Sequence, residues 1–231
     1  MSIGIIGAME EEIAALREAM EITGSETIAG MEFVVGKLRG TDAVVVQSGI
    51  GKVNAGVCAQ ILITHFGAHE IINIGVAGSL DPRINIGDIV ISTDAVQHDY
   101  DVSPIGFKRG EIPYTGLYAF PADAGLRERA HRAAEKFSAE VRCYEGRVCS
   151  GDQFIASKAQ KSGIIETFGG LCCEMEGAAV AQVCHLNRVP WVIIRAISDK
   201  ADDSGKFSFE TFKRGAARRG TAIALELAAQ A

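Results

Sequence analysis

The feature that most limits what this chain can fold into is its rhythm. Short β-branched runs alternate with alanine-rich stretches of helical period along the whole sequence. Ile3–Ile6 reads as a strand and Glu10–Met20 as a helix. Met31–Leu38 and Ala43–Gln47 read as a hairpin that turns at Arg39-Gly40-Thr41-Asp42. Lys52–Phe66 is helical, Ile71–Ile74 and Asp88–Ser92 are strands, Ala122–Phe137 is a helix and Arg142–Cys149 a strand. A helix over Ser157–Phe168, a short strand near Cys172 and a helix over Met175–Leu186 follow. Trp191–Ile197 is apolar except for Arg195, the pattern of a strand buried on both faces. A last helix starts near Ser208, with Phe209, Phe212, Ala216, Ile223 and Leu227 as its core stripe. The expected architecture is α/β: one domain over 1–231, a mixed central sheet flanked by helices. The stretch from Asp94 to Pro121, with three of the five prolines, reads as a long loop of functional or interfacial use.

Composition narrows the classes of function. A net charge of −6, with no block of Lys and Arg, argues against a phosphate backbone as partner. No apolar run is long enough to span a bilayer, and the opening residues form no secretory signal, so a cytoplasmic protein is expected. The six cysteines form no C-x-x-C pair and lie mostly in apolar stretches, which reads as reduced, buried thiols rather than a zinc site or disulfides.

The polar residues gather where strands end. Gly7-Ala8-Met9-Glu10-Glu11-Glu12, Ser48-Gly49-Ile50-Gly51-Lys52, Gly75-Val76-Ala77-Gly78-Ser79, Ser150-Gly151-Asp152-Gln153-Phe154, Glu174-Met175-Glu176-Gly177 and Ser198-Asp199 each follow a strand. Ligands of α/β sheets bind beyond such ends; glycines let backbone approach a ligand, and acids can transfer protons. Each signal has a plainer alternative. Glu10, Glu11 and Glu12, like Glu174 and Glu176, suit the positive end of a helix dipole. Asp199 suits a turn cap, and the glycines suit ordinary turns. The repetition at six ends favours a site. Gly49-Ile50-Gly51-Lys52 is no P-loop, Gly4-Ile5-Ile6-Gly7 lacks the dinucleotide pattern, and Ser48 sits in no nucleophile elbow. His98, Asp99 and Asp101 lack a second cluster of metal ligands, so no metal is expected.

Taken in order from residue 3 to Phe212, these motifs resemble the bacterial 5'-methylthioadenosine/S-adenosylhomocysteine nucleosidases. Arg195-Ala196-Ile197-Ser198-Asp199 and Glu174-Met175-Glu176-Gly177-Ala178 carry much of the likeness. The resemblance implies a nucleoside-phosphorylase-like fold, a homodimer, no cofactor, and hydrolysis of an adenine nucleoside at its N-glycosidic bond. It also implies roles. Asp199 would give a proton to N7 of adenine, and Glu12 would take one from water. Glu176 would hold the ribose hydroxyls, with Met175 against the sugar. Phe154 and the backbone of Ile155 would form the adenine site, Gly78 would contact the substrate through its backbone, and Val76, Ala77 and Ser198 would be further substrate-binding residues. Met9, Ile50 and Phe209 would surround the sugar and thioether. Val76 stands where some members carry serine, Ile74 where some carry threonine, and Ile105 where some carry an aromatic residue; these departures bear on the 5'-substituent. The rivals are a purine nucleoside phosphorylase, an aminodeoxyfutalosine nucleosidase and a non-catalytic nucleoside-binding protein. A phosphorylase needs a cationic phosphate pocket, and the first loop offers glutamates instead; Arg83 is the nearest candidate cation.

Overall fold

The rhythm resolves, in a computed structural model that describes residues 2–139 and 141–230, into strands and helices that alternate along the chain. They are β1 (Ile3–Gly7), α1 (Glu10–Ala19), β2 (Met20–Ile28), β3 (Met31–Leu38), β4 (Thr41–Gln47), α2 (Lys52–Thr64), β5 (Glu70–Ser79) and β6 (Ile89–Gln97). Then come β7 (Phe120–Pro121), α3 (Ala124–Glu135), β8 (Cys143–Ser150), α4 (Lys158–Phe168), β9 (Cys172–Glu174), α5 (Gly177–Asn187), β10 (Trp191–Asp199) and α6 (Gly205–Ala228).

β5 is the axis. All ten of its residues are buried, and it pairs in parallel with β1 on one side and β10 on the other. Helices cover both faces. Ile13 and Leu16 of α1, Leu126 and Ala130 of α3 and Ile223 and Leu227 of α6 pack one core. Ala55, Cys58 and Leu62 of α2, with Val180, Ala181 and Cys184 of α5, pack the other. A fully buried Ile or Leu contributes about 1.5–3 kcal/mol. That gain on both faces is why the central strands read as unbroken apolar runs. The fold class expected from the rhythm is the one observed.

The sheet is not open. Beyond β5 it runs through β10, β6, β8 and β9 and back to β5, so five strands close on one another. β9 meets β5 antiparallel, with Gly78 opposite Cys173, and meets β8 in parallel, with Cys149 opposite Cys173. Closure carries the ends of β8 and β9, which run against β5, to the same place as the ends of β1, β5 and β10.

Three expectations change, the first being Phe212, expected on the core stripe of the last helix but 43% exposed on α6. The first helix ends at Ala19, and Met20–Ile28, where the sequence shows no strand pattern, is a strand: β2 pairs with β3 at the sheet edge, through a turn at Ala29 and Gly30 that both have positive φ. Seven of its nine residues are exposed, so no alternation of burial marks it. The stretch from Asp94 to Pro121 is not all loop. β6 continues to Gln97, a single 3-10 turn occupies Ser103–Ile105, and β7 ends it against β6.

Candidate active site

The site begins with a glutamate that a helix start would ordinarily leave in water. Glu10 is exposed and Glu11 half-buried, as helix-dipole charges should be. Glu12 is 2% exposed. Its Oε2 accepts the N–H groups of Ala8 at 2.7 Å and Met9 at 3.0 Å, and its Oε1 accepts Val76 N–H at 3.0 Å. The loop after β1 and the β5 backbone thus grip one carboxylate. Burial raises its pKa above the usual range, opposed first by Arg195 and then by those N–H groups.

Arg195 explains the break in the apolar run of β10. It is 1% exposed, and its Nη2 donates to Asn73 Oδ1 at 2.6 Å and to Glu174. Asn73 completes its own bonding by donating to Ile6 O at 3.1 Å. Glu174 also accepts from the Ser150 hydroxyl, from Glu176 N–H at 3.1 Å and from Gly177 N–H at 2.8 Å. A buried charge is tolerable only when paired and hydrogen-bonded, and the partners here come from β5, β8, β9 and the turn into α5. Gly75 makes room for it: a Cβ there would stand 2.0 Å from Arg195 Nη1 and 2.7 Å from Glu12 Oε1.

Glu176 lies between this network and the cavity. Its Oε1 accepts Gly51 N–H at 2.9 Å, where Gly51 has φ of 101°, and its Oε2 is 3.9 Å from Arg195. Burial, and next the Glu174 charge, push its carboxyl up to about 7 against the pull of Arg195.

At the end of β10 stands Asp199, 3% exposed. The pairing of β10 with β5 shifts between Ile197 and Asp199, a bulge that turns the side chain. Asp199 Oδ1 accepts Ala201 N–H at 2.8 Å and Oδ2 accepts the Ser198 hydroxyl at 2.9 Å. It is therefore the turn cap that sequence allowed, and it also lines the cavity. Burial raises its pKa, with the Ala201 N–H and the Ser198 hydroxyl pulling back. A Cβ on Gly78 would come within 2.8 Å of Asp199 Oδ1, so glycine lets the carboxyl lie against β5.

One cavity of about 300 Å³ joins these walls. Glu12, Asp199, Gly78, Ile155, Met175, Glu176, Phe154, Val76, Ala77, Met9, Ile50, Ser198 and Phe209 all line it, so the structure brings every candidate residue together. Phe154 and Phe209 meet edge to face at 5.6 Å between ring centres. Ala8, Gln153, Cys173 and Glu174 line it as well and were not among the candidates. Asn73, behind the wall, had a signal: a lone amide inside an apolar strand.

No Lys or Arg is among the lining residues. Arg83 is held by Asp81 at 2.6 Å with its side chain 74% exposed. Lys52, of the glycine-rich turn, binds Asp99 at 2.6 Å and Gln97 at 3.0 Å. Asp99 also accepts Asp152 N–H at 2.8 Å, which occupies the carboxylate of the His98-Asp99 pair. All six cysteines are free thiols, five of them buried.

The sequence matches the phosphorylase superfamily over residues 2–229. It is 45% identical over 213 residues to the 5'-methylthioadenosine/S-adenosylhomocysteine nucleosidase of Shewanella halifaxensis, covering 92% of each chain. The fold superposes on the 5'-methylthioadenosine/S-adenosylhomocysteine nucleosidase of Neisseria meningitidis, solved with methylthio-immucillin-A, with a TM-score of 0.96. Identity there is 38%, with 100% of this chain and 99% of that one covered. Futalosine hydrolase of Helicobacter pylori superposes with a TM-score of 0.95 at 32% identity, covering 100% and 98%.

Proposed function

The chain belongs to the phosphorylase superfamily, among its 5'-methylthioadenosine/S-adenosylhomocysteine nucleosidases, and from that premise we propose that it hydrolyses the N-glycosidic bond of those two nucleosides. The products are adenine and the 5-substituted ribose. The observation that carries this reading is one cavity walled by two buried, differently held carboxyls, with no cation on its lining.

The chemistry follows from the walls. Adenine leaves poorly as an anion, and protonation at N7 lets it leave neutral. Asp199, whose burial favours the protonated form, is the donor. As the bond breaks, the ribose gains oxocarbenium character. Glu176 faces that charge and accepts the ribose hydroxyls. Glu12, gripped by three N–H groups that favour its anion, takes the proton of the attacking water. One carboxyl acts as acid and the other as base, as in other glycosidic hydrolyses. Phe154 and the Ile155 backbone hold the base, and Met9, Ile50, Phe209 and Met175 surround the sugar and its 5' end.

The test is adenine release from 5'-methylthioadenosine in phosphate-free buffer. Release only on addition of phosphate would overturn hydrolysis in favour of phosphorolysis. The match to a futalosine hydrolase supports a second reading, in which aminodeoxyfutalosine is the better substrate. Parallel kcat/KM values for the three nucleosides decide between them.

The assembly reading is a homodimer in the cytoplasm. Among the described residues no helix is long and apolar enough to cross a membrane. Val53 (76% exposed) and Val57 on α2 and Leu186 (70% exposed) on α5 are exposed apolar residues of two helices joined by the Gln60–Asn187 pair, and Ile50, just before α2, is exposed at the cavity. In that reading, as the resemblance implies, the loop around Ile105 reaches the partner's cavity. Val53→Glu should shift the molecular mass seen by light scattering from dimer to monomer.

A further inference from the structure

The turn that follows Asp199 is held from outside the cavity by a residue with no part in the steps above. Ala201 is fully buried and has φ of 50°. That left-handed conformation costs an alanine about 1 kcal/mol, and such strain persists where the surroundings over-determine it. Three ties do so. From the cavity side, Asp199 Oδ1 accepts Ala201 N–H at 2.8 Å. From α4, Lys161 Nζ donates to the carbonyl of Lys200 at 2.7 Å. Lys200 in turn extends its own Nζ to the carbonyl of Ile84. The Lys200–Ala201 peptide, whose N–H binds Asp199, is thus clamped at its carbonyl by an ammonium from a helix that otherwise adds nothing to the cavity wall.

We propose that Lys161 is a positioning residue for the acid: its ammonium pins the Lys200 carbonyl, fixes the turn that aims Asp199 into the cavity, and sets a positive charge against that carboxyl. The inference rests on Asp199 being the proton donor. The charged and titratable groups around Asp199 are Lys161 from α4, Asp202 from the same turn and Cys173 from β9. Burial and Asp202 both favour the protonated carboxyl, and Lys161 is the cation that opposes them. An acid that holds its proton too tightly is a poor donor at neutral pH, so a counterweight of this sign keeps Asp199 useful.

The experiment is the pH profile of kcat/KM for adenine release by the wild type, Lys161→Gln and Lys161→Arg. Glutamine keeps an N–H donor for the Lys200 carbonyl and removes the charge; arginine keeps both. Loss of activity on the alkaline side reports deprotonation of Asp199. In Lys161→Gln that limb should move up by about half a unit to one unit, and in Lys161→Arg it should return to the wild-type position. A uniform fall in rate with the limb unmoved would reduce Lys161 to a structural tie and overturn the proposal, as would an unchanged profile. If Lys161→Gln is too unstable to assay, Lys161→Arg against Lys161→Met at the same pH values gives the same reading. A wild type that releases no adenine at any pH would instead strike at the proposed function.

Discussion

The two walls of the cavity hold their carboxyls in opposite ways. Around Glu12 the structure supplies three N–H donors, the start of a helix and a guanidinium just behind. Around Asp199 it supplies one N–H, one hydroxyl that can turn about, and no guanidinium. Both groups are buried and both pKa values rise, yet the first wall is built for an anion and the second tolerates a neutral acid. Two carboxyls of similar exposure can thus divide acid and base work by their donors alone.

The strongest way to break the comparison is Asp199→Asn. The amide keeps the shape and can still face Ser198, but has no proton of suitable acidity to give. A fall in kcat of about 10³- to 10⁴-fold is expected, with binding of an adenine nucleoside nearly intact by calorimetry. Near-normal turnover would move the acid elsewhere and leave the second wall as a simple turn cap.

Next in size is the support of the first wall. Arg195→Met removes one partner of a buried pair and strands Glu174, with Glu176 close behind. The expected loss is about 3–5 kcal/mol of stability, read from urea unfolding. The Arg195→Met, Glu174→Met pair should recover part of it, because no charge is then left alone. If the single variant is as stable as the wild type, the first wall is not an electrostatic unit.

How much of this was legible in sequence follows the same division. The strands and helices that build both walls were readable, because burial on two faces leaves continuous apolar runs and helical stripes. So were the site residues, since glycine and acid recur at strand ends. The resemblance gave Glu12 and Asp199 their roles; pattern alone left each as a helix-end charge or a cap. β2 was not legible: an edge strand that packs little shows no period of burial. Closure of the sheet was not legible either. It depends on the three-residue strand β9, which carries Glu174 to Arg195. Asn73 and Arg195 were visible as polar breaks in apolar runs, but that they meet each other is set by the register of β5 against β10.

A third prediction concerns pH. The Glu176 carboxyl is raised from 4.5 to about 7, so the folded state binds a proton that the unfolded chain releases between those values. Stability conferred by that proton is present below about 4.5 and is lost as pH rises to about 7. The loss amounts to up to about 3 kcal/mol. Glu12 and Asp199 shift in the same direction and add to it. Without ligand, Tm should therefore fall between pH 5 and pH 7, and Glu176→Gln should flatten part of the slope. A slope unaltered by that substitution would mean that Glu176 is ionised throughout.

The smallest expected effect sharpens the contrast most. Ser198 is the donor on Asp199 that can rotate away, so it should hold the anion less firmly than the fixed N–H groups hold Glu12. Ser198→Ala removes that bond and leaves Ala201 N–H in place. The carboxyl then keeps its proton to higher pH, and the alkaline limb of kcat/KM should rise by about half a unit. At neutral pH the rate should change by about threefold or less, since a more protonated acid is also a weaker one. The acid limb, which reports Glu12 and Glu176 across the cavity, should stay where it was. A shift of both limbs together would mean that the two walls titrate as one coupled system, and the division of labour between them would have to be redrawn.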